Sequence, residues 1–144
     1  MHRTFLFGKI HHARVTESRP EYSGSITIDR DLLDACGILP NERVLVADCE
    51  NGSRFETYVF EGERGGGDIV INGAAALKTG LGHRIIIQAY CQLSREEQAT
   101  HRPRIVICDA NNGVADLLEY PAAEANDRGN GVIQVMAETA EADG

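Results

Sequence analysis

Apolar residues along this chain recur mainly at alternate positions or in short runs, rarely at helical spacing, and Gly, Pro and Asn-Gly punctuate them. A period of two is the mark of half-buried strands. Arg3 to Thr16 reads as extended chain, with Phe5, Phe7 and Val15 among polar neighbours and a break at Gly8, beside Lys9. Ser25 to Ile28 is a short strand, after which Asp29 or Asp31 can cap a helical turn through Leu32 and Leu33 that stops at Gly37. Arg43 to Ala47 is a Val-rich strand, and Asn51-Gly52 suits a two-residue hairpin turn into a second strand, Arg54 to Phe60. On that strand Arg54, Glu56 and Tyr58 share one face while Phe55, Thr57 and Val59 share the other. Gly65-Gly66-Gly67 reads as a flexible loop before a brief strand from Asp68 to Ile71. Arg84 to Leu93 is the most apolar stretch and predicts a central strand. Ser94 opens a small capped helix, Pro103 ends it, and Arg104 to Asp109 makes a last strand before an Asn111-Asn112-Gly113 turn. Many short strands with two or three helical turns predict a mainly β fold, a small closed barrel with a few short helices.

Length and charge narrow the class. At 144 residues and 42% hydrophobic, the chain is one domain's worth of sequence and needs no metal or disulfide to hold a core. The expected division is a barrel over residues 1–118 and an acidic, disordered tail over 119–144, in which Val132 to Met136 can still dock. The formal charge is −8. From Asp116 onward seven acids face Arg128 alone, so the body is close to neutral. Such a body argues against nucleic acid or an anionic membrane as partner, because both require a concentrated basic surface. No leader-like or membrane-spanning run is evident, which predicts a soluble, cytoplasmic protein. Cys36, Cys49, Cys91 and Cys108 lack paired zinc-site spacing and are expected as reduced, mostly buried thiols. His11 and His12 adjoin, so on a strand they should point to opposite faces and not share a metal. No metal site is expected.

The candidate chemistry centres on Glu21-Tyr22-Ser23-Gly24-Ser25. A bare Gly-Ser pair is an ordinary turn. Here it is preceded by Lys9 and followed by Arg54, Thr57 and Tyr58 on one strand, then by Asn72-Gly73-Ala74-Ala75-Ala76. The last segment lacks the Gly before Lys that a phosphate-binding loop needs, which excludes that reading. Its small side chains instead let backbone amides come close to an anion.

In order and spacing, from about Arg3 to Arg104, these residues resemble the pyruvoyl-dependent aspartate alpha-decarboxylase family. The resemblance implies a double-psi β-barrel assembled as a homotetramer, sometimes served by an accessory maturation protein. It implies self-cleavage between Gly24 and Ser25, with Thr57 assisting, and conversion of Ser25 into a pyruvoyl group, with no external cofactor. Gly24 suits such a step if strained backbone is needed there. The substrate implied is a small acidic amino acid, aspartate, decarboxylated to β-alanine in pantothenate supply. Lys9 and Arg54 are assigned to its carboxylates, Thr57, Asn72, Gly73, Ala74 and Ala75 to substrate binding, and Ser25 and Tyr58 to catalysis. An arginine fork binds a carboxylate through two hydrogen bonds, and a phenol keeps its proton at neutral pH for return to carbon.

The chain departs from the family pattern at Glu21, where His is common, and at Ala47, where a bulky aromatic is common. The second change enlarges the pocket wall, which keeps a substituted aspartate such as 3-methylaspartate open as substrate. Two further readings remain beside the enzyme: an uncleaved barrel acting as a scaffold, and a swapped-hairpin DNA-binding barrel suggested by Gly24 to Ile28 with Leu32, Leu33, Gly37 and Ile38. The near-neutral body opposes the latter.

Overall fold

In a computed structural model, which describes residues 1–123 and 133–134, the alternating segments become strands. These are β1 (Arg3–Arg14), β2 (Glu17–Arg19), β3 (Ser25–Asp29), β4 (Arg43–Asp48), β5 (Arg54–Gly62), β6 (Ile69–Asn72), β7 (Arg84–Leu93), β8 (Arg104–Cys108), β9 (Val114–Glu119) and β10 (Ile133–Gln134). Helix α1 (Arg30–Cys36), a 3-10 helix (Gly73–Lys78) and α2 (Arg95–Gln98) join them. Neighbouring strands follow the order β10-β9-β8-β1-β7-β4-β5-β3-β6-β2. The sheet curls back on itself because β2 continues β1 past a bend. There the Val15 N–H donates to the His83 carbonyl at 3.0 Å and the Thr16 N–H to the Ile69 carbonyl at 2.8 Å, linking β7 to β6. The result is a small mainly-β barrel with few short helices.

Its interior is isoleucine-rich: Ile10, Ile26, Ile28, Ile69, Ile71, Ile85 and Ile87 are fully buried. Period two explains this, since Ile26 and Ile28 pair with Ile71 and Ile69 across β3 and β6, and Ile10 pairs with Ile87 across β1 and β7. Asp29 caps α1 by accepting from the Asp31 N–H, and Gly37 closes it in the left-handed conformation at φ +81°. Ser94 and Glu97 form the expected capping box on α2.

Several local expectations are corrected. The β4–β5 connection is five residues long, Cys49 to Ser53, and only Gly52 takes a positive φ. The two-residue turn is displaced because the Asp48 carboxylate accepts from the Glu50 and Asn51 N–H groups and opens the loop. Beyond the Asn111-Asn112-Gly113 turn the chain returns as β9, antiparallel to β8, and packing continues to the buried Ala122. The Gly65-Gly66-Gly67 segment is anchored rather than free. Gly65 and Gly67 donate to the Asp29 carboxylate at 3.1 and 2.7 Å, and Asn112 Nδ2 donates to the Gly67 carbonyl at 2.8 Å. His11 and His12 stack with ring centroids 3.8 Å apart, because the β1 ladder slips between His11 and Ala13 and His12 adopts φ +62°. Only Cys36 is buried; Cys49 is exposed and Cys91 and Cys108 are intermediate, all as free thiols. Burial pushes the Cys36 and Cys108 thiols up to about 12. The expected disorder of the tail concerns residues 124–132 and 135–144, which lie outside the described residues, whereas Ile133 and Gln134 pair with Glu119 and Leu118.

One buried charge holds the loop end of the barrel. The Asp48 carboxylate has no exposed surface and meets His83 Nδ1 at 2.7 Å. Burial alone raises its pKa, yet the hydrogen bonds from His83 and from the Glu50 and Asn51 amides win and leave it below the ordinary carboxylate range. A lowered folded-state pKa means that this contribution is present above the unfolded carboxyl pKa of about 4 and fades as pH falls through the folded value. Asp48→Asn is therefore expected to destabilise the protein by about 2 kcal/mol at pH 7. In urea unfolding, the gap from the parent should narrow steadily below about pH 4.

Candidate active site

Ser25 opens β3 and is 1% exposed. Its cross-strand partner on β6 is Asn72, whose Nδ2 donates to Ser25 Oγ at 3.0 Å. That side chain is consequently not spent on capping the 3-10 helix that follows it. The next residue, Gly73, takes φ +79°, and a Cβ placed there would stand 2.6 Å from Gly24 Cα, 2.8 Å from Gly24 N and 3.1 Å from the Tyr22 carbonyl oxygen. The Gly73 backbone thus packs closely against Gly24, on the side away from its link to Ser25. Gly24 itself has no positive φ, and a Cβ on it would meet nothing within 4 Å. The requirement for glycine, expected at Gly24, is physically imposed at Gly73 instead.

Strand β5 runs parallel to β3 with Ile26 level with Val59, both facing inward. Alternation therefore turns Ser25 and Tyr58 toward the other face, one residue earlier on neighbouring strands. Tyr58 is partly exposed, and its ring meets Phe60 edge-on with centroids 5.4 Å apart. Burial from Arg54 to Phe60 alternates, so Thr57 lies with Phe55 and Val59 on the face opposite Tyr58. Ala74 is exposed and Ala75 half-buried at the start of the 3-10 helix.

Arg54 is on the face of Tyr58 but four residues away, ~13 Å along the strand. Its side chain sits in a row with His11, Ile86 and Ala47, taken from the registers of β1 with β7, β7 with β4 and β4 with β5. Among the described residues it forms no ion pair, so its fork is open to an anion. His11, at the far end of that row, has a lowered pKa, first from burial and then from His12 and Lys9, which keeps the imidazole neutral at pH 7. Lys9 lies one row along, level with Gln88 on β7 and Ile105 on β8. Three strand spacings, ~14 Å, separate the β1 and β5 positions of this face. One chain thus brings together Ser25, Asn72, Gly73 and Tyr58, and holds Lys9 and Arg54 apart from them. Among the described residues no group of three or more His, Cys, Asp or Glu could hold a metal ion.

The residue missed by reading the sequence is Tyr120. Lys9 Nζ donates to Tyr120 Oη at 3.1 Å and lies 5.4 Å from the centre of its ring. The one signal was an aromatic followed by Pro121 after a weak apolar run, too little to tie it to Lys9.

A family model described as aspartate decarboxylase matches residues 1–115. The chain belongs to the aspartate decarboxylase family. Among its relatives, the aspartate 1-decarboxylase of Neisseria meningitidis serogroup C is 52% identical over 120 residues, 83% of this chain and 94% of that one. That of Exiguobacterium sibiricum is 51% identical over 123 residues, covering 85% and 97% of the two chains. That of Caldicellulosiruptor saccharolyticus is 54% identical over 112 residues, 78% and 88% respectively. Membership in the aspartate decarboxylases makes this chain an enzyme, a carbon–carbon lyase, and all of Ser25, Asn72, Gly73 and Tyr58 fall inside the matched region. No helix among the described residues is long and apolar enough to cross a membrane.

Proposed function

We propose that this aspartate decarboxylase converts L-aspartate to β-alanine and carbon dioxide after cutting its own chain between Gly24 and Ser25. The observation that carries the reading is the junction itself: a buried hydroxyl held by Asn72, at a point where the backbone of Gly73 packs closely against Gly24. In maturation, Ser25 Oγ attacks the Gly24 carbonyl through a five-membered ring, so an ester replaces the amide and the Ser25 nitrogen gains a proton. Elimination then breaks the Ser25 Cβ–O bond, releases the Gly24 carboxylate and leaves dehydroalanine at position 25. Its imine tautomer takes up one water and loses ammonia. The products are residues 1–24 and a larger chain beginning with a pyruvoyl group.

A pyruvoyl group made there takes no more room than the serine side chain that Asn72 already holds. The group supplies an electron-accepting carbonyl for the pair left on the α-carbon when carbon dioxide departs. Around it, the Asn72 amide and the backbone of Gly73 to Ala75 hold the substrate, with Thr57 on the inner side aiding the cleavage step. Tyr58 carries a phenolic proton toward the reacting carbon. Arg54 and Lys9 bind carboxylate, Arg54 through its open fork. Since these two cations stand on strand positions remote from Ser25 in one chain, they serve the serine of an adjacent copy, in a homotetramer. The protein works in the cytoplasm, without external cofactor, and an accessory protein can speed maturation.

A second substrate reading is favoured by Ala47, a small side chain level with Ile86 and Arg54 on the neighbouring strands. Release of carbon dioxide from aspartate, 3-methylaspartate and glutamate separates the two, and equal or greater activity on 3-methylaspartate would favour it. Intact-mass analysis of purified protein tests the whole scheme. Two fragments, 1–24 and 25–144, the larger reacting with a hydrazine, are expected; one uncut chain after long incubation would leave only a scaffold.

A further inference from the structure

The C-terminal hairpin delivers a phenol to Lys9. Strand β8 pairs in parallel with β1, setting Ile105 beside Lys9, and β9 pairs with β8, setting Leu118 beside Ile105. Two residues on, Tyr120 returns to the face of Leu118 by alternation. Its backbone is held there by the hydrogen bond from its N–H to the Pro103 carbonyl at 3.0 Å. It lines a small apolar cavity of about 170 Å³ with Phe5, Leu6, Leu93 and Pro103, so apolar neighbours and the backbone bond, besides Lys9, bear on its position. From that seat the Tyr120 oxygen accepts a hydrogen from Lys9 Nζ at 3.1 Å. Tyr120 also lies past residue 115, where the family match ends.

We propose that Tyr120 is a positioning residue for substrate binding, acting through Lys9; this rests on the reading of Lys9 as a carboxylate ligand. A lysine side chain has four rotatable bonds, and ordering it on binding costs side-chain entropy. The ammonium has three N–H donors. Giving one to a fixed phenol oxygen orders the chain beforehand and leaves two for a carboxylate, which lowers the ordering cost when substrate arrives. The interaction is equal in the ground and transition states, since a carboxylate remote from the reacting carbon keeps its charge throughout. Its loss therefore appears in KM rather than kcat.

The test uses full-length, fully matured protein and three variants, Y120F, K9A and the double variant. Y120F keeps the ring in its cavity and removes only the acceptor. It is expected to raise KM for aspartate about three- to tenfold, the size of one hydrogen bond's contribution, with kcat within about twofold and thermal midpoint unchanged. K9A should raise KM further, and Y120F added to K9A should raise it no more, because both act through one ammonium. If K9A raises KM and Y120F does not, Tyr120 is only packing and the proposal fails while the role of Lys9 stands. If K9A leaves KM untouched, the carboxylate role of Lys9 fails, and the positioning role of Tyr120 falls with it. Additive effects in the double variant also overturn it.

Discussion

Ser25→Ala should give a folded protein that remains a single 144-residue chain and releases no carbon dioxide from aspartate. The substitution removes the Oγ that must attack the Gly24 carbonyl, and no other atom of residue 25 can replace it. Its structural cost is modest, because the side chain loses one oxygen and the methyl group fits the same space. What is left behind is the Asn72 amide, 9% exposed and deprived of its acceptor. A buried donor left unsatisfied costs about 1–3 kcal/mol, enough to lower the thermal midpoint without unfolding a barrel whose isoleucine core is untouched. Intact mass, circular dichroism and carbon dioxide release from one preparation decide the matter. Persistent decarboxylation by an uncut Ser25→Ala chain would remove the pyruvoyl mechanism altogether.

Gly73→Ala is expected to slow scission by about a hundredfold, the size of effect that follows when reacting atoms are displaced by about 1 Å. Two independent features make this site intolerant. At φ +79° an L-residue costs roughly 1–2 kcal/mol. The added Cβ would also overlap Gly24 Cα and N, at 2.6 and 2.8 Å, so the residue that carries the bond to be cut must itself shift. Gly24→Ala is the informative contrast, because a Cβ there meets no atom within 4 Å. A time course of fragment appearance should rank the parent first, Gly24→Ala next and Gly73→Ala last. If Gly24→Ala proves the more damaging, steric pressure from Gly73 has no part in aligning the bond.

The strands legible in the chain were those whose alternation is carried by β-branched residues, such as Ile26 and Ile28 or Ile85 and Ile87, where one face must be buried for the pattern to make sense. β9 escaped notice because Ala115 and the adjacent Leu117 and Leu118 break the period of two, and it forms only by pairing with β8. Asn51-Gly52 announced a turn correctly but not its length, since the competing acceptor, the Asp48 carboxylate, owes its position to His83, 35 residues away. The stacking of His11 on His12 follows from a register slip against β7 that neither histidine encodes.

The chemistry divides in the same way. Residue types, order and spacing determined by themselves where the proposed junction at Gly24-Ser25 lies, that Tyr58 and Arg54 share a face, and that the chain is a decarboxylase of this family, because these depend on covalent order and on the strand's period of two. Tertiary structure alone decided that Asn72 holds Ser25, that Gly73 rather than Gly24 needs to be glycine, that Lys9 and Arg54 stand strands apart, and that Tyr120 grips Lys9. Each of these joins residues by sheet register or by close backbone approach. Such contacts are settled by how the barrel closes around its core, and no local run of residues contains that information.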